Sequence, residues 1–346
     1  MVEENRAKRS TGGMHHAPGL VPMAPADVGE RNVTAPLHTP TGAMTLDNAV
    51  AHLLANDPRF AVQRTRIRGI DYTAFSNVPP HTRALLDRAS EPQTASGDPF
   101  LVFRDERYTY EDFCNRINRL SGALQTELGV VKGQPVAIAM RNCPELLLLM
   151  MAITSLGAVV VFLNAWWTTE ELDYAVNDSG ARIVFADGQR AQRLAPLVDR
   201  YGLSVIGVRD GEDASHRTFT QMINAAKLVD IWPEIDTDDD MAIMYSSGTT
   251  GKPKGVVQTH RGAMNAVYTW LMQAEIAALV EPPEPEAPAP LRPAFLVVTP
   301  LFHVTATHPV FLLGIAAGAK LVVMEKWDAD HAADLIEREQ ITRMLG

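Results

Sequence analysis

The chain has 346 residues, 46% of them apolar and 21% charged, and 31 basic against 41 acidic side chains give it a net charge of −10. That length suits two domains or one large decorated α/β domain, and the acidic balance excludes a broad basic face for nucleic acid, so an anionic substrate needs locally placed cations or a metal. Two cysteines, Cys114 and Cys143, are too few for a disulfide framework, and no apolar run follows the charged opening MVEENRAKRS as a secretory signal would require, which together fit a reducing, cytoplasmic setting.

In chain order, residues 1–44 are rich in Gly, Pro, His and small polar residues without periodicity and read as a mobile tail. The paired His15 and His16 lie in it with no fixed geometry for a metal. From Met44 to about Leu86 the sequence predicts two helices separated by an irregular segment containing Pro79 and Pro80. Strand-like FLVF from Phe100 is followed by a helix from Tyr110 to Leu128, with Phe113, Ile117, Leu120, Leu124 and Leu128 recurring at three and four. Alternation then continues: strand Val136–Met140, helix Glu145–Leu156, strand Val159–Leu163, helix Thr169–Asn177, strand Ile183–Ala186, a helix to about Arg200, and a strand from Val205. The uncharged run Leu146–Leu163 is just long enough to raise a membrane span. Gly157 divides it into a Leu/Met-rich half and the β-branched AVVVFL, so it reads as a buried helix followed by a buried strand.

Strands alternating with helices predict largely parallel β-sheet covered on both faces, an α/β architecture in which ligands sit beyond the carboxyl ends of the strands. The proline-rich stretch Glu281–Pro293 is read as a polyproline-type surface loop within one domain spanning 45–346, because strand-like AFLVV resumes at once.

The segment MAIMYSSGTTGKPKGVVQTHRG, Met241 to Gly262, carries the chemistry. It reads as strand, loop and strand, with Thr259 as N-cap of a helix from His260. Gly248, Gly251 and Gly255 let backbone N–H groups turn inward to form an anion-binding concavity. Ser246, Ser247, Thr249 and Thr250 add hydroxyls, Lys252 and Lys254 add charge, and Pro253 stiffens the turn between them. The spacing is neither G-x-x-x-x-G-K-[ST] nor G-x-G-x-x-G. Composition alone leaves a polyphosphate cradle and a solvated glycine-rich hairpin both open.

The string YSSGTTGKPKG resembles the phosphate-binding signature of the adenylate-forming superfamily, which includes acyl-CoA synthetases, peptide-synthetase adenylation domains and luciferase-like enzymes. Ser246 stands where that family commonly has threonine. RYTYEDFCNRINRLSGAL (Arg107–Leu124) resembles the family's opening strand and helix, GAVVVFLNAWWTTEEL (Gly157–Leu172) its second core motif, and VTPLFHVTA (Val298–Ala306) its fourth. Asn164-Ala165-Trp166-Trp167 replaces the usual Asn-Pro and is closest to bacterial fatty-acid-activating members. The resemblance implies the large N-terminal domain of that fold, incomplete, without the small C-terminal domain. It further implies that Ser246 to Lys254 wrap the phosphates of ATP, that Lys254 and Thr249 are catalytic, and that His303 lines the acyl pocket. ATP, Mg²⁺ and coenzyme A are the implied cofactor and co-substrates, and a fatty acid the implied acid. Alternatives are an adenylation domain loading a carrier protein and a non-catalytic nucleotide-binding module. No aromatic-Gly-x-Thr-Glu segment occurs, so the expectation is a truncated chain that does not complete the reaction alone.

Other candidates read as structural. His303 and His308 lack metal-ligand partners at the expected spacing, and no metal site is expected. Asp236 to Asp240 reads as a solvated turn, Cys143 as a structural residue at a helix start, and Trp166 and Trp167 as packing under a loop.

Overall fold

The computed structural model describes residues 43–214, 217–229, 231–246, 252–284 and 291–345. The expected tail, with His15 and His16, and the middle of the proline-rich loop lie outside these residues. Helix α1 (Leu46–Asn56) starts where the Thr45 hydroxyl accepts from Asn48 N–H. The irregular segment expected next is instead an antiparallel hairpin, β1 (Val62–Ile67) and β2 (Ile70–Phe75). Its two-residue turn puts Arg68 at φ 49° and Gly69 at φ 85°, the positive-φ geometry that matches strand twist. Both faces of the hairpin are largely exposed, so its sequence carries no apolar alternation.

After α2 (Thr82–Ser96), strands β3 (Pro99–Phe103) and β4 (Glu106–Thr109) form a second antiparallel hairpin. Helix α3 (Tyr110–Thr126) opens on a capping box: Asp112 N–H donates to the Thr109 hydroxyl and Thr109 N–H to the Asp112 carboxylate. The charge-free run resolves, as its composition predicts, into two elements. Following β5 (Pro135–Ala139), it forms buried α4 (Pro144–Ser155) and, past Gly157, buried β6 (Val159–Phe162). No helix among the described residues is long and apolar enough to cross a membrane.

A second capping box, Thr168 with Glu171, starts α5 (Thr169–Ser179), which leads to β7 (Ile183–Ala186). The helix expected to run to Arg200 is broken. Pro196 lacks the N–H a continuous helix needs, so α6 (Gly188–Leu194) passes through a 3₁₀ turn into α7 (Val198–Tyr201). Strand β8 (Ser204–Gly207), α8 (Phe219–Ala225), β9 (Asp240–Ser246) and β10 (Lys254–Thr259) follow. Thr259 caps α9 (His260–Val280) by accepting from Gly262 N–H at 3.2 Å, as the sequence predicts.

Strand β11 (Ala294–Val297) leads to α10 (Val304–Ala306), whose path continues through a π-helical stretch into α11 (Leu313–Ala316). Then come β12 (Lys320–Val323), α12 (Ala329–Arg338) and β13 (Arg343–Leu345).

Apart from the β1–β2 hairpin, the strands form two larger sheets. The first runs β10-β9-β6-β5-β7-β8 and the second β13-β11-β12-β3-β4; each is parallel except where an outer strand, β10 or β4, returns as a hairpin. Alternate residues face opposite layers, as the two-residue period of a strand requires. Val136 and Ile138 join the central core with α3 and α4, whereas Ala137 and Ala139 pack with Leu172 and Val176 of α5 and Leu194 of α6. In the second sheet Leu321 and Val323 face that same central core, and Val322 faces Ala332 and Leu335 of α12. The central helical layer is thus shared, and both sheets depend on it. Glu339, beyond α12, closes the second sheet's outer side. Arg107 of β4, together with Lys320 of β12, holds its carboxyl down to about 2, against the opposing effect of burial.

His260, the first residue of α9, is fully buried against His81. Its Nδ1 accepts from Thr82 N–H at 3.3 Å, and His81 Nδ1 accepts from Ala84 N–H at 3.0 Å, so both rings are needed neutral. Burial is the main cause that lowers His81 to about 4 and His260 to about 3, with Arg83 adding to both, Lys132 to His260, and Asp239 opposing. Because the unfolded chain takes up these protons first, the contribution is whole above the unfolded pKa near 6.5. It is lost as pH falls through about 4 and then 3. Urea melts are expected to lose on the order of 4 kcal/mol between pH 7 and pH 4, a loss that His81→Asn with His260→Asn would flatten. An unchanged slope in the double variant would rule this pair out as its source.

Candidate active site

The loops leaving β5, β6, β11 and β12 meet around a cleft of about 890 Å³, with apolar walls that include Trp166, Phe302 and Trp327. Its floor is fixed by Asn142, which is 5% exposed. The Asn142 side-chain amide donates to Thr299 O at 3.0 Å and Met324 O at 3.2 Å, and its oxygen accepts from Leu301 N–H at 2.8 Å. One side chain of the first sheet therefore ties down the ends of two strands of the second. Arg141 beside it also faces the cleft, with its closest ion-pair contact to Glu325 at 3.9 Å.

The Trp166-Trp167 pair divides its work. Trp167 is buried and meets Tyr245 edge-on at 5.4 Å, while Trp166 is 61% exposed and meets Phe302 edge-on at 5.1 Å. Asn164 turns the chain between β6 and this pair by accepting from Trp166 N–H at 2.9 Å, and Arg193 donates to Trp167 O at 2.8 Å. The packing expected of both tryptophans holds for Trp167; Trp166 instead lines the cleft. Through them, the loop after β6 joins the β9–β10 hairpin to the loop bearing Phe302.

That hairpin carries the glycine- and lysine-rich motif. Ser247, Gly248, Thr249, Thr250 and Gly251 lie outside the described residues. Ser246 ends β9 and pairs in register with Lys254, the first residue of β10. The Ser246 hydroxyl donates to Lys254 O at 3.4 Å. The Lys254 side chain is exposed, as is that of Lys252, whose Nζ stands 5.5 Å from the centre of the Tyr174 ring. Tyr245 donates through its hydroxyl to Asp178 Oδ2 at 2.9 Å, and burial plus that bond push its phenol well above the ordinary tyrosine range. Pro253 stands between the two lysines.

His303 is exposed just before α10, its ring 4.9 Å from Phe302 and outside the side chains that line the cleft. His308 is a core histidine, bonded through Nδ1 to the Thr307 hydroxyl at 2.9 Å and lowered to about 4 by burial. Cys143 is buried, its thiol pushed up by desolvation and so unreactive, in keeping with a structural residue. The Asp236–Asp240 turn is less solvated than expected: Asp238, Asp239 and Asp240 pair with Arg261, Lys132 and Arg68. Among the described residues, no group of three His, Cys, Asp or Glu side chains is placed to hold a metal. Sequence reasoning passed over Asn142, Arg141, Trp327 and Tyr174. Position after a strand was the only signal for the first two.

A family model for AMP-binding enzymes matches residues 73–346, and the chain belongs to that family. It is 31% identical over 237 residues to 4-coumarate–CoA ligase 3 of Oryza sativa subsp. japonica, covering 68% of this chain and 41% of that protein. To 4-coumarate–CoA ligase 3 of Arabidopsis thaliana it is 27% identical over 317 residues, covering 90% and 53%. The chain thus spans about half the length of these curated relatives. Its fold is similar to the inhibitor-bound N-terminal domain of FACL13 from Mycobacterium tuberculosis, with a TM-score of 0.60 and 27% identity over 76% of this chain and 62% of that one. The two sheets and their shared helical layer are those of the large N-terminal domain of the adenylate-forming fold.

Removing the Asn142 clasp leaves the Met324 carbonyl and the Leu301 N–H unpaired in the interior and the Thr299 carbonyl unpaired at the cleft wall. Asn142→Ala is expected to cost about 3 kcal/mol in chemical denaturation. Asn142→Asp keeps the acceptor for Leu301 N–H but faces a carboxylate toward two carbonyls, and is expected to be at least as damaging. Wild-type denaturation midpoints for both would show that the sheets are held elsewhere.

Proposed function

We propose that the whole protein activates a carboxylic acid with ATP and transfers it to coenzyme A. In the first half-reaction a carboxylate oxygen attacks the α-phosphorus of ATP, forming the acyl-adenylate and releasing pyrophosphate. In the second a thiolate attacks the acyl carbon and displaces AMP. The observation that carries this reading is the placement of the hairpin bearing Ser246 and Lys254 beside the large apolar cleft, joined to it through Trp167 and Trp166. The first step brings two anions together, so catalysis rests on positioning and charge neutralisation. The exposed Lys254 ammonium and the Ser246 hydroxyl suit phosphate oxygens, and Thr249 and its neighbours in the motif extend that set by resemblance. Mg²⁺, when bound with ATP, would neutralise charge on the phosphate oxygens.

The acid has an apolar body, and a fatty acid is the first candidate, since most of the cleft wall is hydrocarbon or aromatic ring. A 4-coumarate-like aromatic acid is the second reading, favoured by the edge-to-face geometry Trp166 and Phe302 already adopt. A panel of fatty and aryl-propenoic acids, read by pyrophosphate release, separates the two. No release with any acid, despite tight ATP binding, would leave a binding module instead, and release with transfer only to a carrier protein would replace coenzyme A as acceptor.

Lys254→Ala in the whole protein is expected to lower kcat of adenylation roughly 100-fold with a smaller change in the KM for ATP, because its charge is needed where pyrophosphate develops. Wild-type pyrophosphate release by a correctly folded variant removes the role. His303→Trp, on the rim beside Phe302, is expected to shift the preferred acid toward shorter chains and leave ATP affinity unchanged. A flat acyl-length profile combined with collapsed ATP binding would place His303 in the nucleotide site.

A further inference from the structure

We propose that helix α5 clamps the phosphate hairpin, with Tyr174 and Asp178 as positioning residues and Lys252 as the hairpin's anchor to α5. This rests on the ATP reading above. Tyr174 and Asp178 are four apart and so share one face of α5. That face touches both arms of the hairpin. On β9, Tyr245 donates its hydroxyl to Asp178 Oδ2 at 2.9 Å and lies 3.2 Å from Ala175 O. On β10, a Cβ added at Gly255 would meet Ile243 Cγ2 at 3.1 Å, Tyr245 Cε1 at 3.4 Å and Asp178 Oδ2 at 3.5 Å. The second arm therefore lies within van der Waals reach of the Tyr245–Asp178 bond, and a side chain at Gly255 would crowd only Ile243. Between these contacts, the Lys252 ammonium stands 5.5 Å from the centre of the Tyr174 ring.

The two lysines of the motif then have different work. Lys252 stands over the Tyr174 ring and holds the turn into β10 against α5. Lys254, beyond Pro253, is fixed by its register with Ser246 and makes no ion pair among the described residues. Arms held in this way keep the Ser246 and Lys254 backbones in place before the nucleotide arrives, and that preorganisation is what the clamp contributes to ATP affinity.

The test is a double-mutant cycle in the whole protein, read as the equilibrium Kd for ATP. Tyr174→Leu and Lys252→Met are each expected to weaken ATP about threefold, the size of an exposed cation–π contact, and the double variant no more than either single. Tyr174→Phe keeps the ring and should bind as wild type. Losses that multiply, or a Lys252→Met defect far larger than that of Tyr174→Leu, would make Lys252 a direct phosphate ligand and overturn the assignment. A second readout needs no nucleotide. Trypsin does not cut the Lys252–Pro253 bond, so cleavage after Lys254, followed by mass spectrometry, reports how firmly the hairpin is held. Tyr174→Leu and Asp178→Ala are expected to speed that cut about threefold or more and Tyr174→Phe to leave it unchanged. Equal rates in all variants overturn the clamp. Failure of the wild-type protein to bind ATP overturns the functional reading instead and leaves the cleavage comparison to decide the clamp.

Discussion

Two sheets that share one helical layer are each stabilised by burial, but burial is non-directional and does not set where one sheet's strand ends lie against the other's. Asn142 supplies that direction. It leaves the end of β5, reaches across, and satisfies the backbone at the ends of β11 and β12 with its three polar contacts. An amide offers two N–H donors and an acceptor oxygen in one short side chain, a set that neither aspartate nor leucine can supply. The cleft exists because the sheets part just beyond this clasp. Arg141 and Asn142 come from one side of it, and Thr299, Pro300 and Phe302 from the other.

Much of the first sheet was legible because its signals are local. The division of Leu146–Leu163 at Gly157, the Thr259 cap and the 3.6-residue stripe of α3 each depend on neighbours in sequence, and each matches the structure. The second sheet was not legible in the same way. β3 lies early in the chain, yet Leu101 pairs with Leu321 and Val102 with Val322. An apolar run such as PFLVF announces a strand and says nothing about its partner. The β1–β2 hairpin was missed for the opposite reason. Most of its residues are exposed, so the pattern that normally betrays a strand is absent, and only the Arg68-Gly69 turn remained as a signal.

The site divides along the same line. The glycine- and lysine-rich motif stood out because one contiguous segment carries it. The cleft wall is assembled from four separate loops, and in sequence Trp166 and Trp167 look alike. What separates them is tertiary: Trp167 meets Tyr245 on the neighbouring strand, and Trp166 meets Phe302 from the other sheet. His303 was expected to line the pocket, and its exposure at the head of α10, outside the cleft wall, depends on how that loop turns after β11.

A net charge of −10 opposes an anionic substrate, yet the fold spends its acids locally. Near the strand ends Asp187 is paired with Arg190 and Glu325 with Arg104, while Asp178 accepts from Tyr245. On the far side of the first sheet, Asp238, Asp239 and Asp240 each meet a cation. A paired carboxylate projects a weak dipolar field that solvent and salt screen within about a Debye length, roughly 8 Å at physiological salt. The lysine of an exposed hairpin keeps more of its charge at the distance of a bound phosphate. What an incoming anion meets is therefore governed by which cations have been committed elsewhere, and much less by the sum over the chain. In this protein Arg104, Arg190 and Arg209 are committed to carboxylates, whereas the exposed Lys252 stands over a neutral ring that leaves its charge in place. Lys254 has its backbone held by the pairing with Ser246, and its exposed ammonium makes no ion pair among the described residues.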